Sequence, residues 1–457
     1  MQMGQGFRGN LRGFWTPEAP RMHSIQPIQL SVFSETARLR QVVVHNPGPE
    51  VDLMVPGMME KLLFDDILYG DLARQEHAQF RQVLARVADE VLDIQDLFVE
   101  ALQDEGVKLA FVEDLRRLVG LPDDTCNLLR DMAPADTARS VIGGLPWDDM
   151  PGHTHWEEEF DYRVRPIPNL LFMRDPASVI GDGYSVNSMA TWAREREPLI
   201  LSYVFRHHPR LRHHTEHDKW FDQVTPLIRG EIKAPVSMEG GDILVLSHKV
   251  LVVGCSERTQ TDAIQLLAEN LRAHRAEDDS SFDHLLMVLM PKKRSAMHLD
   301  TIFTRTSENE CLVYPPYFLE GSRELLNVTS IDLRHPELRM STHPSLLKAL
   351  KVVGIDLQPI FCGGNDSILQ QREQWTDGAN AFCLAPGVIT SYGRNLATAE
   401  ALDRAGYRAL TAREVLADPA LDLLDGKKYL VQIEASELSR ARGGPRCMTM
   451  PLAREAG

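Results

Sequence analysis

The sequence predicts an α/β protein assembled from repeated strand-hairpin units and interrupted by a helical insertion. Three observations predict it. Short apolar runs come as hairpins led in by acids or glycines: "NLLFMRDPASVIGDGYSV", "EGGDILVLSHKVLVVG", "MHLDTIFTRTSENECLVY", the longer "GGNDSILQQREQWTDGANAFCLAPGVITSY", and a last strand, "GGPRCMTMPL". Their leading residues, Asp175, Asp242, Asp300, Asp366 and Cys447, lie 58 to 81 positions apart, the regularity of a diverged structural repeat. Between Leu72 and about Val107, in contrast, Phe80, Val83, Leu84, Val87, Val91, Ile94, Leu97, Phe98 and Leu102 recur at three and four with charges between them, which predicts helix. Units set around an axis would bring their strand ends to one cavity and line it with the leading residues. That arrangement explains why acids and glycines, poor strand formers, recur at the same place in each unit.

Taken in order, residues 1–30 are rich in Gly, Pro, Gln and Arg, lack a secretory apolar core and are expected to form a flexible tail. Arg8 and Arg12 precede the first acid, so an organelle transit peptide is the alternative there. Residues 31–70 begin the strand-rich part. Residues 71–161 form the helical insertion, which carries further short helical patterns such as "PADTARSVIGG" and the polar run "HTHWEEEF". Residues 162–457 complete the strand-rich domain, with the helical patterns "RTQTDAIQLLAENLRAH" and "NLATAEALDRAG" following hairpins.

Composition narrows the function class. A chain of 457 residues with 43% hydrophobic and 25% charged residues, and no apolar run of membrane-spanning length, is an ordinary globular protein. The net charge of -16 argues against nucleic acid as partner and does not repel a small cation. Six cysteines without CxxC spacing point away from disulfide and zinc frameworks and toward a reducing compartment, so a cytoplasmic location is expected. The histidine-rich run "FRHHPRLRHHTEHDKW" matches no zinc spacing and reads as a wet basic loop.

Four polar islands carry candidate chemistry. Cys447 in "RARGGPRCMTMPL" becomes nucleophilic only as thiolate; on a strand its neighbour Arg446 would point to the opposite face, and the glycines would let backbone approach a ligand. His298 and Asp300 in "MHLDT" would share one face of a strand. Glu239, before the Gly-Gly pair of "SMEGGD", could orient a histidine or simply form a turn with Asp242. Asn169, Arg174 and Asp175 sit at the ends of the apolar segment in "PNLLFMRDP". Together these offer one thiol, one histidine and more carboxylates than a thiol protease needs. Acids near a thiolate raise its pKa unless a cation lies between them, and a planar guanidinium, which matches carboxylates two bonds at a time, is the natural guest.

These islands, in this order, and "VVVHNPGPEV" followed by "LLFDDI", resemble the arginine deiminases of the guanidine-modifying, or pentein, superfamily from about Leu39 to the C-terminus. The resemblance implies a five-bladed pseudo-symmetric propeller of ββαβ units with an inserted helical domain. It implies a hydrolase of linear amidines that turns L-arginine into L-citrulline and ammonia with no metal or organic cofactor, and a homo-oligomer is the expected assembly. By motif, Cys447 resembles the nucleophile, His298 the general acid/base, Glu239 its hydrogen-bond partner, and Asp175 and Asp300 the guanidinium ligands. Asn169, Phe172, Arg194, Arg258 and Arg442 resemble the residues around the rest of the substrate, the three arginines serving its carboxylate. Met173 departs from the family's usual threonine, and the long tail and the loop "RAEDDSSFDH" are additions. Agmatine or methylarginine deimination, amidino transfer, a non-catalytic arginine binder and a simple thiol hydrolase remain the alternatives.

Overall fold

The computed structural model describes residues 26–147, 162–214, 216–275 and 282–456; the greater part of the expected tail, the run "HTHWEEEF" and most of "RAEDDSSFDH" lie outside them. The apolar hairpins fold into five sheets of three or more strands, and each contains the same unit. Ala177–Ile180 pairs antiparallel with Gly183–Val186, which pairs parallel with Lys219–Asp222. Ile243–Ser247, Val250–Cys255 and His284–Leu289 repeat that order, as do Phe303–Arg305, Glu310–Val313 and Gln358–Phe361. Phe382–Ala385, Val388–Tyr392 and Tyr429–Ile433 repeat it again, with Arg408–Thr411 added. In the remaining sheet the C-terminal strand Met450–Arg454 pairs antiparallel with Leu39–Val44, and Glu90–Asp93 adds in parallel, so the two ends of the described chain share one sheet.

A parallel third strand requires a crossover, and helices supply it. Gly70–Leu84, Arg196–His207, Thr261–Ala273, Leu346–Val352 and Leu396–Arg404 lie between the strands so joined. The middle strands Val250–Cys255 and Val388–Tyr392 are buried along almost their whole length, as expected of strands covered on both faces. The hairpin Val328–Asp332 and Arg339–His343 extends the third sheet beyond the unit.

Four local expectations change. The single helical stretch from Leu72 to Val107 is broken by the strand Glu90–Asp93, whose backbone pairs with Gln41 to Val44; the three-and-four spacing of Val87, Val91 and Ile94 hides it. Helix resumes at Ile94–Ala101 and Glu105–Val119, which pack on Arg196–His207 through edge-to-face rings of Phe98, Phe111 and Tyr203 at 4.8 and 5.1 Å. His298 and Asp300 lie not on a strand but at the start of the 3₁₀ turn Leu299–Thr301 that precedes one. Asp366 leads a helix, Ser367–Trp375, and is its N-cap, accepting from the amides of Ile368 and Leu369; the fourth hairpin begins only at Phe382. The buried acid before that hairpin is Asp377, held in the left-handed region at φ 59°. Cys447 lies in a turn before its strand, so the strand-face argument does not apply to Arg446. Among the described residues no helix is long and apolar enough to cross a membrane.

Candidate active site

Three of the hairpins are preceded by a 3₁₀ turn, Pro168–Leu171, Gly240–Asp242 and Leu299–Thr301, and a fourth such turn, Leu438–Ala441, leads toward Cys447. Tight turns leave backbone amides unpaired, and the buried acids accept from them. Asp175 Oδ1 accepts from the Gly241 amide at 3.1 Å. Asp242 Oδ1 accepts from the Leu299 amide at 2.9 Å and its Oδ2 from the Ser256 hydroxyl at 2.7 Å. Asp242 thereby ties the turn after His298 to its own; burial pushes its carboxyl up to about 7. Gly241 is required by proximity, since a Cβ there would lie 2.6 Å from the His298 ring.

The turns converge on one cavity. Nine of the ten residues singled out from sequence line it: Cys447, His298, Glu239, Asp175, Asn169, Phe172, Arg194, Arg258 and Arg442. The tenth, Asp300, stands beside the thiol, with Cys447 Sγ 3.8 Å from its Oδ2. His298 Nε2 donates to Glu239 Oε2 at 2.8 Å, and its Nδ1 lies 3.8 Å from Asp175 Oδ1. Glu239 Oε1 also accepts from the Ala190 amide at 3.0 Å, which fixes its orientation. Asp175, Glu239 and His298 present donor atoms within 4.8 Å of one another, the one such metal-capable trio among the described residues. In the histidine-rich run, His208 instead meets Glu100 at 2.9 Å and His214 the Ile28 carbonyl at 3.0 Å.

Charge follows from burial and neighbours. Burial, then the negative charges of Asp300, Asp175 and Asp377, push the Cys447 thiol well above its ordinary range. Burial disfavours the His298 imidazolium, but the charge of Asp175, the hydrogen bond to Glu239 and the charge of Asp242 outweigh it and raise its pKa to about 10. Glu239 moves the other way: burial opposes ionisation, and His298, Arg258 and Arg194 hold it ionised. Burial raises Asp300, opposed by Arg446 and His298. At neutral pH the pair is therefore a thiol beside an imidazolium, surrounded by acids.

The three candidate carboxylate-binding arginines differ. Arg194 donates to Glu197 through Nε and Nη2 at 2.7 to 3.1 Å, to Asp175 Oδ2 through Nη1 at 2.6 Å, and to the carbonyls of Asn169 and Phe172. Arg258 reaches Glu257 only at 3.6 Å. Arg442, at φ 65°, stacks on Trp375 with its guanidinium carbon 3.4 Å from the ring centroid, while its buried Nε and Nη1 have no hydrogen-bond partner. Burial lowers its pKa. Asn169 Nδ2 donates to the Leu62 carbonyl at 2.5 Å, and Phe172 packs where a Cβ on Gly443 would have to go. The glycines before Cys447 thus make room for protein side chains.

A family model described as arginine deiminase matches residues 60–118 and 150–454. The chain belongs to the arginine deiminase family. Relatives named arginine deiminase from Listeria welshimeri and Levilactobacillus brevis are 34% and 35% identical, each match covering 93% of this chain and 98% of the relative. Among solved structures, the product-bound N-terminal domain of ArgZ, described as an arginine dihydrolase of the cyanobacterial ornithine-ammonia cycle, aligns over 91% of this chain and 97% of its own at 14% identity and a TM-score of 0.48. An adduct of dimethylarginine dimethylaminohydrolase aligns over 90% of this chain and 99% of its own at 14% identity and a TM-score of 0.44.

Several residues around this arginine deiminase family site carried no sequence signal that was used. Asn380 Oδ1 accepts from the amides of Arg446 and Cys447 at 3.1 and 3.2 Å, and its Nδ2 donates to the Asp300 carbonyl at 3.1 Å. Arg446, expected to face away, is wholly buried, 2.9 Å from Asp300 Oδ2. Glu197 was findable, because i,i+3 spacing puts it beside Arg194. Asp65 and Arg294, both on the cavity wall, form an ion pair between distant segments that no spacing reveals. Met173, at the family's threonine position, is fully buried in the core.

Proposed function

We propose that this chain hydrolyses the guanidinium of L-arginine to L-citrulline and ammonia through a covalent Cys447 S-alkylthiouronium. The observation that carries the proposal is a thiol raised by burial and by the charges of Asp300, Asp175 and Asp377, in one cavity with Arg442, whose Nε and Nη1 lack partners among the described residues. A ligand with a planar cation and a carboxylate satisfies both. Asp175 and Asp300 hold the guanidinium, and its arrival offsets their charge and lets Cys447 lose its proton to solvent, His298 being already protonated. The thiolate attacks the central carbon to form a tetrahedral adduct. His298, a cation held by Glu239, gives its proton to the departing amine, and ammonia leaves as the adduct collapses to the thiouronium. Neutral His298 then takes a proton from water as the hydroxyl adds to the same carbon; collapse releases citrulline and the thiolate.

Arg442 and Arg258 receive the α-carboxylate, with Asn169 and Phe172 beside the aliphatic stem. Arg194 joins them only by exchanging one of its present contacts. The five units are proposed to surround the cavity as blades of a propeller, with the helical insertion beginning only at about residue 94, because Glu90–Asp93 belongs to the first sheet. A homo-oligomer in the cytoplasm is proposed as the working form, tested by light scattering and by fractionation of the source cells.

The decisive experiment measures citrulline and ammonia from arginine, agmatine and methylarginine with the wild type and Cys447→Ser. Citrulline from arginine, abolished in Cys447→Ser and far weaker turnover of agmatine, is expected. No citrulline from arginine, or an equally active Ser variant, overturns the proposal.

A further inference from the structure

Arg446 is wholly buried, so its guanidinium charge has to be met by groups inside the protein. Its contacts form a chain. Nε donates to Glu35 Oε2 and Nη2 to Glu35 Oε1, both at 3.0 Å, a bidentate pair. Nη2 also donates to the Ile243 carbonyl at 2.8 Å, and Nη1 to Asp300 Oδ2 at 2.9 Å. Glu35 is held in turn by the Val245 amide at 3.2 Å. The other oxygen of Asp300, Oδ1, is buried without a hydrogen-bond partner.

The second guanidinium-facing acid has the same arrangement built from unrelated segments. Asp175 Oδ2 is held by Arg194 Nη1, and Arg194 is held bidentately by the buried Glu197. Two Glu–Arg–Asp chains therefore end at the two acids proposed to grip the guanidinium, Asp175 on the cavity wall and Asp300 beside the thiol. A buried ion pair is weak evidence of stability, since hydrophobic residues of similar volume often replace one without loss; its retention at both acids calls for a role in the site. At Asp300 the arginine fork held from behind fixes Oδ2 in place and leaves Oδ1 for a ligand, whereas at Asp175 the other oxygen also accepts from the Gly241 amide.

We infer that Arg446, braced by Glu35, is a positioning residue that holds Asp300 through one oxygen so that the other meets the substrate cation. The inference rests on the proposed role of Asp300 as a guanidinium ligand. Arg446 acts through Asp300 and does not touch the reacting atoms. Asp300 is also faced by His298, Asp175, Asp377, Arg174 and the Cys447 thiol, so Arg446 is one of several charges acting on it, and the test must isolate the pairwise effect.

Calorimetric titration of arginine into full-length Cys447→Ser protein isolates it, because turnover is absent. Arg446→Lys keeps the charge but loses the fork, and Glu35→Gln keeps the shape but loses the brace. Each is combined with Asp300→Asn in a double-mutant cycle, and melting temperatures identify variants that fail to fold. Arg446→Lys is expected to weaken arginine binding about 10-fold, and Glu35→Gln about 3-fold, with less than about 2-fold further loss when Asp300→Asn is already present. Equal losses with and without Asp300→Asn, or binding unchanged by Glu35→Gln in a folded protein, overturn the inference. Failure of the unmodified enzyme to make citrulline would instead remove the functional proposal beneath it.

Discussion

Replacing Asp300 by Asn should make the Cys447 thiol more acidic. In the free protein Sγ lies 3.8 Å from Asp300 Oδ2, and Asp300 is the leading charge that holds the thiol protonated. Two unit charges at about 4 Å interact by about 4 kcal/mol at an effective dielectric of about 20, equivalent to about 3 pKa units. Arg446, 2.9 Å away on the other side of the carboxylate, offsets part of that field while Asp300 is present. Asp300→Asn removes the anion and leaves the arginine's positive field unopposed, which favours thiolate; a fall of about 1–3 units is expected. The assay is the rate of iodoacetamide alkylation at Cys447 against pH, read by mass spectrometry of its peptide so that Cys255 does not contribute. While the thiol is mostly protonated, each unit of fall raises the rate near pH 8 by about tenfold. Asp366→Asn, at an exposed helix cap, should leave the profile unmoved. An Asp300→Asn profile that coincides with the wild type, or that moves to higher pH, would refute the electrostatic account of the site.

Arg442→Gln should raise KM for arginine about 10- to 100-fold with little effect on agmatine turnover, because a charge-assisted carboxylate contact of about 1.5–3 kcal/mol is lost; steady-state kinetics on both substrates checks it. Gly241→Ala should push the His298 ring from its place, lowering kcat more than 10-fold while the melting temperature changes little, since a displaced proton donor typically loses about 10²–10⁴-fold. The Glu35 carboxylate is opposed by burial but held by Arg446 at about 2, below its ordinary 4.5, so its contribution is full above about pH 4.5 and disappears as pH falls through about 2. Urea midpoints of wild type and Glu35→Gln should therefore differ most at neutral pH and converge in acid. Phe111→Ala should cost about 3–5 kcal/mol of stability in denaturant titration and leave KM unchanged, because its buried ring packs against Phe98 and Tyr203 and does not line the cavity.

The spacing of the hairpins was legible because each unit repeats one local pattern, an acid or glycine turn followed by two apolar strands. What spacing could not reveal was which part of a mixed segment becomes strand. Glu90–Asp93 follows a helical period and becomes strand only because Gln41 to Val44 lie open beside it. "GGNDSIL" resembles a strand lead, but Asp366 caps a helix there, and Asp377 eleven residues later takes the buried place. His298 and Asp300 were paired on the assumption of strand alternation; they enter one site because a 3₁₀ turn, closed by Asp242, carries them there. Arg446 was misplaced for the same reason. Its partner Glu35 stands 411 positions away, a separation at which no periodicity carries information.

The excess of carboxylate in the sequence acquires a sharper meaning from those arginines. Burial raises the Asp300 carboxyl, and a protonated Asp300 would spare the thiol its field and also lose its hold on a cation. Arg446 opposes this at Asp300, and the arginine behind each acid is itself held by a buried glutamate, so each trio carries a negative charge that a ligand cation can meet. Each acid is thereby directed through one oxygen, and among the described residues the other oxygen of Asp300, Oδ1, is left without a partner, which is costly. A ligand cation removes that penalty and the barrier to thiolate formation together. A neutral amide removes neither, so the same charges that accept a guanidinium discriminate against the substrates of an ordinary thiol hydrolase.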